Sequence, residues 1–345
     1  MSWTVSTIYP FDQKGQQQLT QLLTTEGIQK DANLDYSCGI YDDNQLVATG
    51  SCYGNTLRCL AVDQSYQGEG FMNLILSHLT TYQFDRGHRH LFLYTKPETA
   101  QFFSDLGFYE IVRSQDIVFL ENKKNGFHNY LDKLEKPQHN VSSVAAVVMN
   151  ANPFTLGHLY LIEKAAQEND LVHLFIVSED SSLVPFTVRK KLVKSGTAHL
   201  DNLIYHDTDS YMISQSTFPS YFQKDSEAVI RSQAAVDLHI FSQIAKKLGI
   251  QKRYVGEEPH SMVTNLYNQV MSDVLPQAGI SFVLVPRKAI SSNPISASTV
   301  RQLIQLGDFE SLKNLVPEST LAFFKSPEAA PIIANIKAQD NVVHY

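Results

Sequence analysis

The sequence predicts an α/β protein in which an α+β domain precedes a parallel-sheet, Rossmann-like domain. Three observations lead there. From residue 144 onward, short apolar runs alternate strictly with amphipathic segments, the pattern of a parallel sheet with helical crossovers. The stretch Asn150-Ala151-Asn152-Pro153-Phe154-Thr155-Leu156-Gly157-His158 follows the apolar run Val144–Met149 directly, as a strand feeding a turn and then a helix. Before residue 135 the apolar runs are separated by tight-turn residues, which suits an antiparallel meander. At 345 residues the chain exceeds the roughly 250–300 that one core supports, so two domains are expected.

In the first region, 17–23 reads as a helix. Residues 37–41, Gln45–Tyr53 and Thr56–Val62 read as strands joined by Asp-Asp-Asn and Gly-Asn turns. Next come Tyr66-Gln67-Gly68-Glu69-Gly70, a helix with Met72, Leu74, Ile75 and Leu79 as its apolar positions, and a strand over 90–94. Polar Lys-Lys-Asn-Gly and Lys-Pro-Gln-His-Asn segments dilute the pattern over 122–143, with a short connecting helix around Tyr130, Leu131 and Leu134. The expected organisation is a domain over 1–135, a linker over 136–143, a domain over 144–330 and a C-terminal tail over 331–345.

In the second region the expected strands are Val144–Met149, 171–177, 203–206, 253–255 and Ser281–Val285. Helices are expected near 158–168, 187–200, 227–248 and 262–276, with a last one from Ser298. In such sheets ligands sit beyond the carboxyl ends of the strands. Asn150–His158 lies at one such end, and Ile295-Ser296-Ala297-Ser298-Thr299-Val300-Arg301 follows another after a short loop. Two anion-gripping helix starts on one face predict one nucleotide site.

A net charge of −7 and a pI near 5.9 argue against a nucleic-acid partner or an anionic membrane surface. No apolar run approaches the roughly 20 residues of a membrane span. Residues 1–10 lack the basic start and apolar core of a secretory signal, and Cys38, Cys52 and Cys59 fit no disulfide framework. The expected compartment is the cytoplasm. His88 and His90 sit in an exposed basic turn without a third ligand, so no protein-held metal is expected. A Walker loop is absent from the sequence.

The motif residues suit attack on the α-phosphate of a nucleoside triphosphate, where fixed donors matter more than a strong nucleophile. His158 can donate to the α-phosphate, Thr155 adds a hydroxyl, and Gly157 permits close backbone approach. Ser296, Ser298 and Thr299 can cap the last helix or bond phosphate oxygens, and Arg301 can neutralise the leaving pyrophosphate. Arg189, in Phe186-Thr187-Val188-Arg189-Lys190-Lys191, can touch ligand or fix a loop.

Thr155–His158 and Ile295–Arg301 resemble the paired [H/T]-x-G-H and I-S-[S/A]-[S/T]-x-x-[R/K] motifs of the nucleotidyltransferase superfamily. Within it the chain is similar to the citrate lyase ligase family. That resemblance runs through 149–158, Thr217-Phe218-Pro219-Ser220-Tyr221-Phe222, Val255-Gly256-Glu257-Glu258-Pro259 and Pro286-Arg287-Lys288, and covers nearly the whole chain. It implies activation of acetate by ATP as acetyl-adenylate, releasing pyrophosphate. The acetyl group then passes to the thiol of the phosphoribosyl-dephospho-coenzyme A arm on the acyl-carrier subunit of citrate lyase. On this reading His158, Arg301 and Thr155 are catalytic. Asn152, Phe154, Gly157, Arg189, Ser296, Ser298 and Thr299 surround the nucleotide, and Mg2+ comes with ATP, held by phosphates and water. Glu257 and Glu258 can hold magnesium or a ribose, or be a solvated loop. Thr217–Phe222, with Tyr211 and Tyr221, can wall the acyl site or pack on the sheet edge. Arg287 and Lys288 can meet carrier phosphates or be exposed charges.

The Gln67-Gly68-Glu69-Gly70 segment and its helix resemble the pyrophosphate loop of GCN5-related (GNAT) acetyltransferases, with 101–108 as that fold's later helix and strand. Met72 departs from the family's small residue. The implied roles are binding of the coenzyme-like arm through Gln67, Gly68 and Gly70, or acetyl transfer. Two alternatives stay open for the whole chain: adenylyl transfer to a phosphorylated coenzyme precursor, and a non-catalytic carrier-docking scaffold.

Overall fold

The computed structural model describes residues 3–178, 181–212, 226–257, 262–290 and 293–339. They form two compact units, one drawn from 1–130 and 218–239, the other from 131–217 and 240–345. The break thus falls between Tyr130 and Leu131, before the polar stretch 136–143. The helix expected around Tyr130 starts earlier, because Glu121 Oε1 accepts the Phe127 N–H at 2.7 Å and initiates it there.

The first unit contains β1 (Ser6–Thr7), α1 (Gln13–Thr25), β2 (Tyr36–Asp42), β3 (Gln45–Tyr53), β4 (Thr56–Val62), α2 (Phe71–Asp85), β5 (Phe92–Thr95), α3 (Ala100–Asp105), β6 (Tyr109–Arg113), β7 (Val118–Glu121) and α4 (Gly126–Lys133, the last residues crossing into the second unit). Its sheet runs β1-β2-β3-β4-β5-β7-β6. Asp43 and Asn44 both take positive φ, 42° and 71°, which the two-residue β2–β3 hairpin requires. The one parallel pair, β4 with β5, is joined only at Thr56↔Phe92 and Leu57↔Leu93. The strands then part, and a cavity of about 650 Å³ opens between the rest of β4 and the end of β5.

The period of α2 is correctly helical, but its buried stripe is Phe71, Ile75, Leu76, Leu79 and Gln83. Leu74 is 39% exposed, so that expected core position points to solvent. Gln83 takes the last place on the stripe because its amide donates to the Gly54 carbonyl at 2.7 Å.

In the second unit, β8 (Val144–Met149), α5 (Leu156–Gln167), β9 (Leu171–Ile176), α6 (Phe186–Gly196), β10 (Leu203–Asp207), α7 (Ser226–Leu248, shared with the first unit), β11 (Lys252–Gly256), α8 (Met262–Val274) and β12 (Ser281–Val285) alternate as expected. The short pair β13 (Ala289–Ile290) and β14 (Asn293–Pro294) leads into α9 (Ala297–Leu306), α10 (Phe309–Leu312), α11 (Glu318–Lys325) and α12 (Ala330–Ala338). Residues read as the start of a tail therefore form α12, whose Ile332 and Ile336 enter the core with Leu312, Val316, Phe323 and Phe324.

All five large-sheet strands are parallel, in the order β10-β9-β8-β11-β12. The chain winds outward from β8 to β10, then returns to the other side of β8. Such a reversal leaves a crevice at the carboxyl ends of the two central strands. β8 and β11 pair only over Ala145↔Lys252, Ala146↔Arg253 and Val147↔Tyr254, so their carboxyl ends diverge. Both motif loops belong to this end of the sheet.

Candidate nucleotide site

The turn after β8 is built by hydrogen bonds that its own sequence supplies. Asn150 Nδ2 donates to Ser182 Oγ at 3.0 Å, and Asn152 Oδ1 accepts the Val184 N–H at 3.0 Å. Ala151 has φ 53°, a left-handed conformation within the turn. Asn152 Nδ2 is buried without a hydrogen-bond partner among the described residues. Phe154 is fully buried in the second unit's core, with its ring edge where a Cβ on Gly196 would be 2.6 Å away. It shapes the site from beneath the turn and is not on its surface.

Thr155 caps α5, and its capping bonds set the state of His158. Thr155 Oγ1 accepts the His158 N–H at 3.3 Å, while the Thr155 N–H donates to His158 Nδ1 at 3.1 Å. A backbone amide can only donate, so Nδ1 is an acceptor and the neutral ring carries its proton on Nε2; the tautomer is assigned from these bonds. Nε2 has no hydrogen-bond partner among the described residues. Burial, reinforced by the Arg287 charge, pushes the His158 pKa down to about 4. His158 is thus a neutral donor at physiological pH.

The second motif starts α9. Ser296 Oγ accepts the Thr299 N–H at 3.1 Å and lies 2.9 Å from Thr299 Oγ1, so this pair caps the helix. A Cβ on Gly157 would lie 3.4 Å from the Ile295 carbonyl oxygen, which places the α5 start against the segment entering α9. Leu156 N–H is used by the Leu315 carbonyl at 2.9 Å, whereas Gly157 and Ala297 keep amides with no acceptor among the described residues. The anion-binding capacity expected of the two helix starts is therefore concentrated in those amides and the imidazole.

The arginines divide in an unexpected way. Arg301 is 2% exposed; its Nη1 donates to the Asn152 carbonyl at 2.6 Å and its Nη2 to Ser298 Oγ at 3.3 Å. Burial lowers its pKa to about 10, which still leaves it cationic. Arg189 is fully buried, with Nε on the Val184 carbonyl and Nη1 on those of Asn150 and Val177, at 2.7–2.9 Å. It fixes the loops after β8 and β9. Arg287, two residues past β12, donates from Nε to the Glu257 carbonyl at 2.8 Å and its charge reaches His158. Sequence reasoning did not place Arg287 here, although its position past a strand's carboxyl end was a usable signal.

Lys288 Nζ lies 5.9 Å from the Tyr160 ring centroid. Tyr211 is buried, while Thr217–Phe222 and Glu258 lie outside the described residues. Glu257 is tied through its N–H to the Val285 carbonyl at 2.8 Å.

In the first unit, Gln67, Gly68 and Gly70 line the cavity with Phe71 and Met72 at the start of α2. Gly68 and Gly70 have φ 89° and 79°, values that disfavour any Cβ, and Gly70 is the N-cap. The first-turn amides of Phe71, Met72 and Asn73 have no acceptor among the described residues. Met72 is half-buried on the cavity wall. His90 pairs with Glu121 at 2.5 Å. All three cysteines are buried free thiols, with burial pushing their pKa values up to about 11–12, so none is poised as a nucleophile.

The first unit is an α+β module with an open cavity, and the second is a Rossmann-like module with both motif loops at one end of its parallel sheet. The family model described as "Citrate lyase ligase C-terminal domain" matches residues 144–324, and that of the "Acetyltransferase (GNAT) family" matches 4–108. The chain is 35% identical over 322 residues to the [Citrate [pro-3S]-lyase] ligase of Escherichia coli (strain K12), covering 91% of this chain and 92% of that one. It is 37% identical to the protein of the same name from Haemophilus influenzae, covering 91% and 96%. With that from Klebsiella pneumoniae it shares 39% over 285 residues, covering 81% and 83%. The chain belongs to the citrate lyase ligase family, a family of ligase enzymes.

Proposed function

We propose that this ligase acetylates the acyl-carrier subunit of citrate lyase in two steps. An acetate oxygen attacks the α-phosphorus of ATP, forming acetyl-adenylate as the bond to pyrophosphate breaks. The thiol of the carrier's phosphoribosyl-dephospho-coenzyme A arm then attacks the acetyl carbonyl. The acyl–phosphate bond breaks, AMP leaves and the thiol proton passes to solvent. Acetate is already an anion, so the first step needs positioning and charge stabilisation more than a general base.

The observation that carries this reading is the state of His158: neutral, held by Thr155 in the turn after β8, with no partner for Nε2–H among the described residues. A fixed donor of that kind suits the charge that develops on the α-phosphate oxygens. The amides of Gly157 and Ala297 supply further donors, and the buried Arg301 charge lies beneath the turn. No cluster of three or more metal-ligating side chains occurs among the described residues. Magnesium would enter as part of the ATP complex, held by phosphate and water. The arm is assigned to the first unit's cavity beside Gln67, Gly68 and Gly70, supported by the free amides there and a volume suited to a coenzyme-sized ligand. The reduced, buried thiols support a cytoplasmic setting. No helix among the described residues is long and apolar enough to cross a membrane.

The test is pyrophosphate release from MgATP, with and without acetate. Wild type should release it only with acetate. His158→Ala should lose that rate by about a hundredfold or more, the usual loss when one oxyanion donor is removed. Release that ignores acetate and appears only with a phosphorylated acceptor would replace this reading with plain adenylyl transfer.

A further inference from the structure

We propose that Arg287 is the cation that meets the nucleotide's phosphate oxygens, and that Arg301 positions the two helix starts without touching the phosphates. The inference deepens the adenylating reading above and rests on it.

A side chain that bonds phosphate must be reachable from the crevice. Arg301, at 2% exposure, is closed off, and two of its bonds join the turn before α5, through the Asn152 carbonyl, to the first turn of α9, through Ser298. Those bonds hold the motifs together. They would have to break, or the turn to open, before the guanidinium reached a ligand.

Arg287 is partly exposed and stands where three loops converge. It follows β12; its Nε donates to the Glu257 carbonyl at the end of β11, and its Nη1 lies 3.4 Å from the Ile295 oxygen. That same oxygen lies 3.4 Å from where a Cβ on Gly157 would be. Arg287, the start of α5 and the entry to α9 thus meet at one carbonyl. Lys288, next in sequence, places its ammonium over Tyr160 on α5. The charge of Arg287 is also felt by His158, whose pKa it lowers. A partly exposed guanidinium oriented by carbonyls holds its planar fork of donors in a fixed direction, the geometry that suits phosphate oxygens.

The experiment is calorimetric titration of the full-length chain with MgATP and, separately, with pyrophosphate. It compares wild type, Arg287→Gln, Arg287→Lys and Arg301→Lys, each with its melting temperature. Arg287→Gln should weaken both ligands by roughly ten- to a hundredfold, the range for a charge-assisted hydrogen bond. The His158 imidazole titration, followed by 15N NMR, should move up in this variant and stay low in Arg287→Lys. Arg301→Lys should lower the melting temperature and weaken pyrophosphate clearly less than Arg287→Gln does, as expected of a group that acts only through the position of the two helix starts.

A folded Arg287→Gln that binds both ligands like wild type overturns the proposal. Should that variant not fold, Arg287→Lys decides. Retained, salt-dependent pyrophosphate binding supports a charge contact, and collapsed binding in folded protein overturns it. A wild type that binds neither MgATP nor pyrophosphate overturns the adenylating reading and this proposal with it. Binding to wild type that survives Arg287→Gln removes only this proposal.

Discussion

At the residue scale, the recurring theme is that side-chain chemistry read from a motif is divided by burial. Thr155, His158, Ser296 and Arg301 are all in one neighbourhood, yet Ser296 and Thr299 cap each other and Arg301 is locked onto Asn152. His158 presents a ring N–H with no partner among the described residues, which is why its substitution is the sharpest test of the proposed chemistry. Because its pKa lies near 4, the rate should show no acid limb from this residue at the ordinary histidine value near 6.5; pyrophosphate release from pH 5.5 to 8 checks this. Arg189 makes the opposite prediction. Arg189→Ala leaves the carbonyls of Asn150, Val177 and Val184 without these donors, so it should destabilise the fold by about 3 kcal/mol, measured by urea denaturation. The choice between ligand contact and loop support was open in the sequence, since an arginine on a helix after Pro185 reads the same either way. The three carbonyls of the loops folded around it favour support.

At the element scale, the strands were legible because their apolar runs are bounded by turn residues, and the β2–β3 hairpin because Asp43-Asn44 tolerates positive φ. The helical period of α2 was legible too, but its facing was not. Leu74, an expected apolar position, faces solvent, while Gln83 is buried because its amide finds the Gly54 carbonyl. The start of α2 carries a prediction about the coenzyme-like arm. Gly68→Ala and Gly70→Ala place a Cβ at φ near +80° to +90°, costing about 1–2 kcal/mol each, with open space around the new methyl. Both variants should fold with a lowered melting temperature, and both should bind the acyl carrier more weakly, by titration. Unchanged carrier affinity in folded variants would remove the arm from this cavity.

At the scale of the whole molecule, imidazoles whose pKa values the fold lowers should make stability fall on the acid side. Besides His158, His173 and His206 on neighbouring strands share a 2.8 Å hydrogen bond, and burial lowers both pKa values. Their folded values lie below the ordinary 6.5, so the unfolded chain takes up protons that the native state refuses. Stability is therefore present above about pH 6.5 and is lost as pH falls toward 4, by up to about 1.4 kcal/mol per pH unit for each such histidine. Denaturation at pH 7 and pH 5 measures the slope, and a His173→Leu/His206→Leu double variant should flatten it. What the sequence by itself determined is the α/β alternation, the order of the two modules and the residues of the two motifs. Each depends on local periodicity, turn chemistry or contiguous strings. Tertiary structure decided which motif side chains are buried, that 330–338 is a core helix, and that the charge of Arg287 reaches His158. Those outcomes depend on which side chains and carbonyls meet when the strand order reverses around β8, and chain-distant contacts of that kind leave no local pattern.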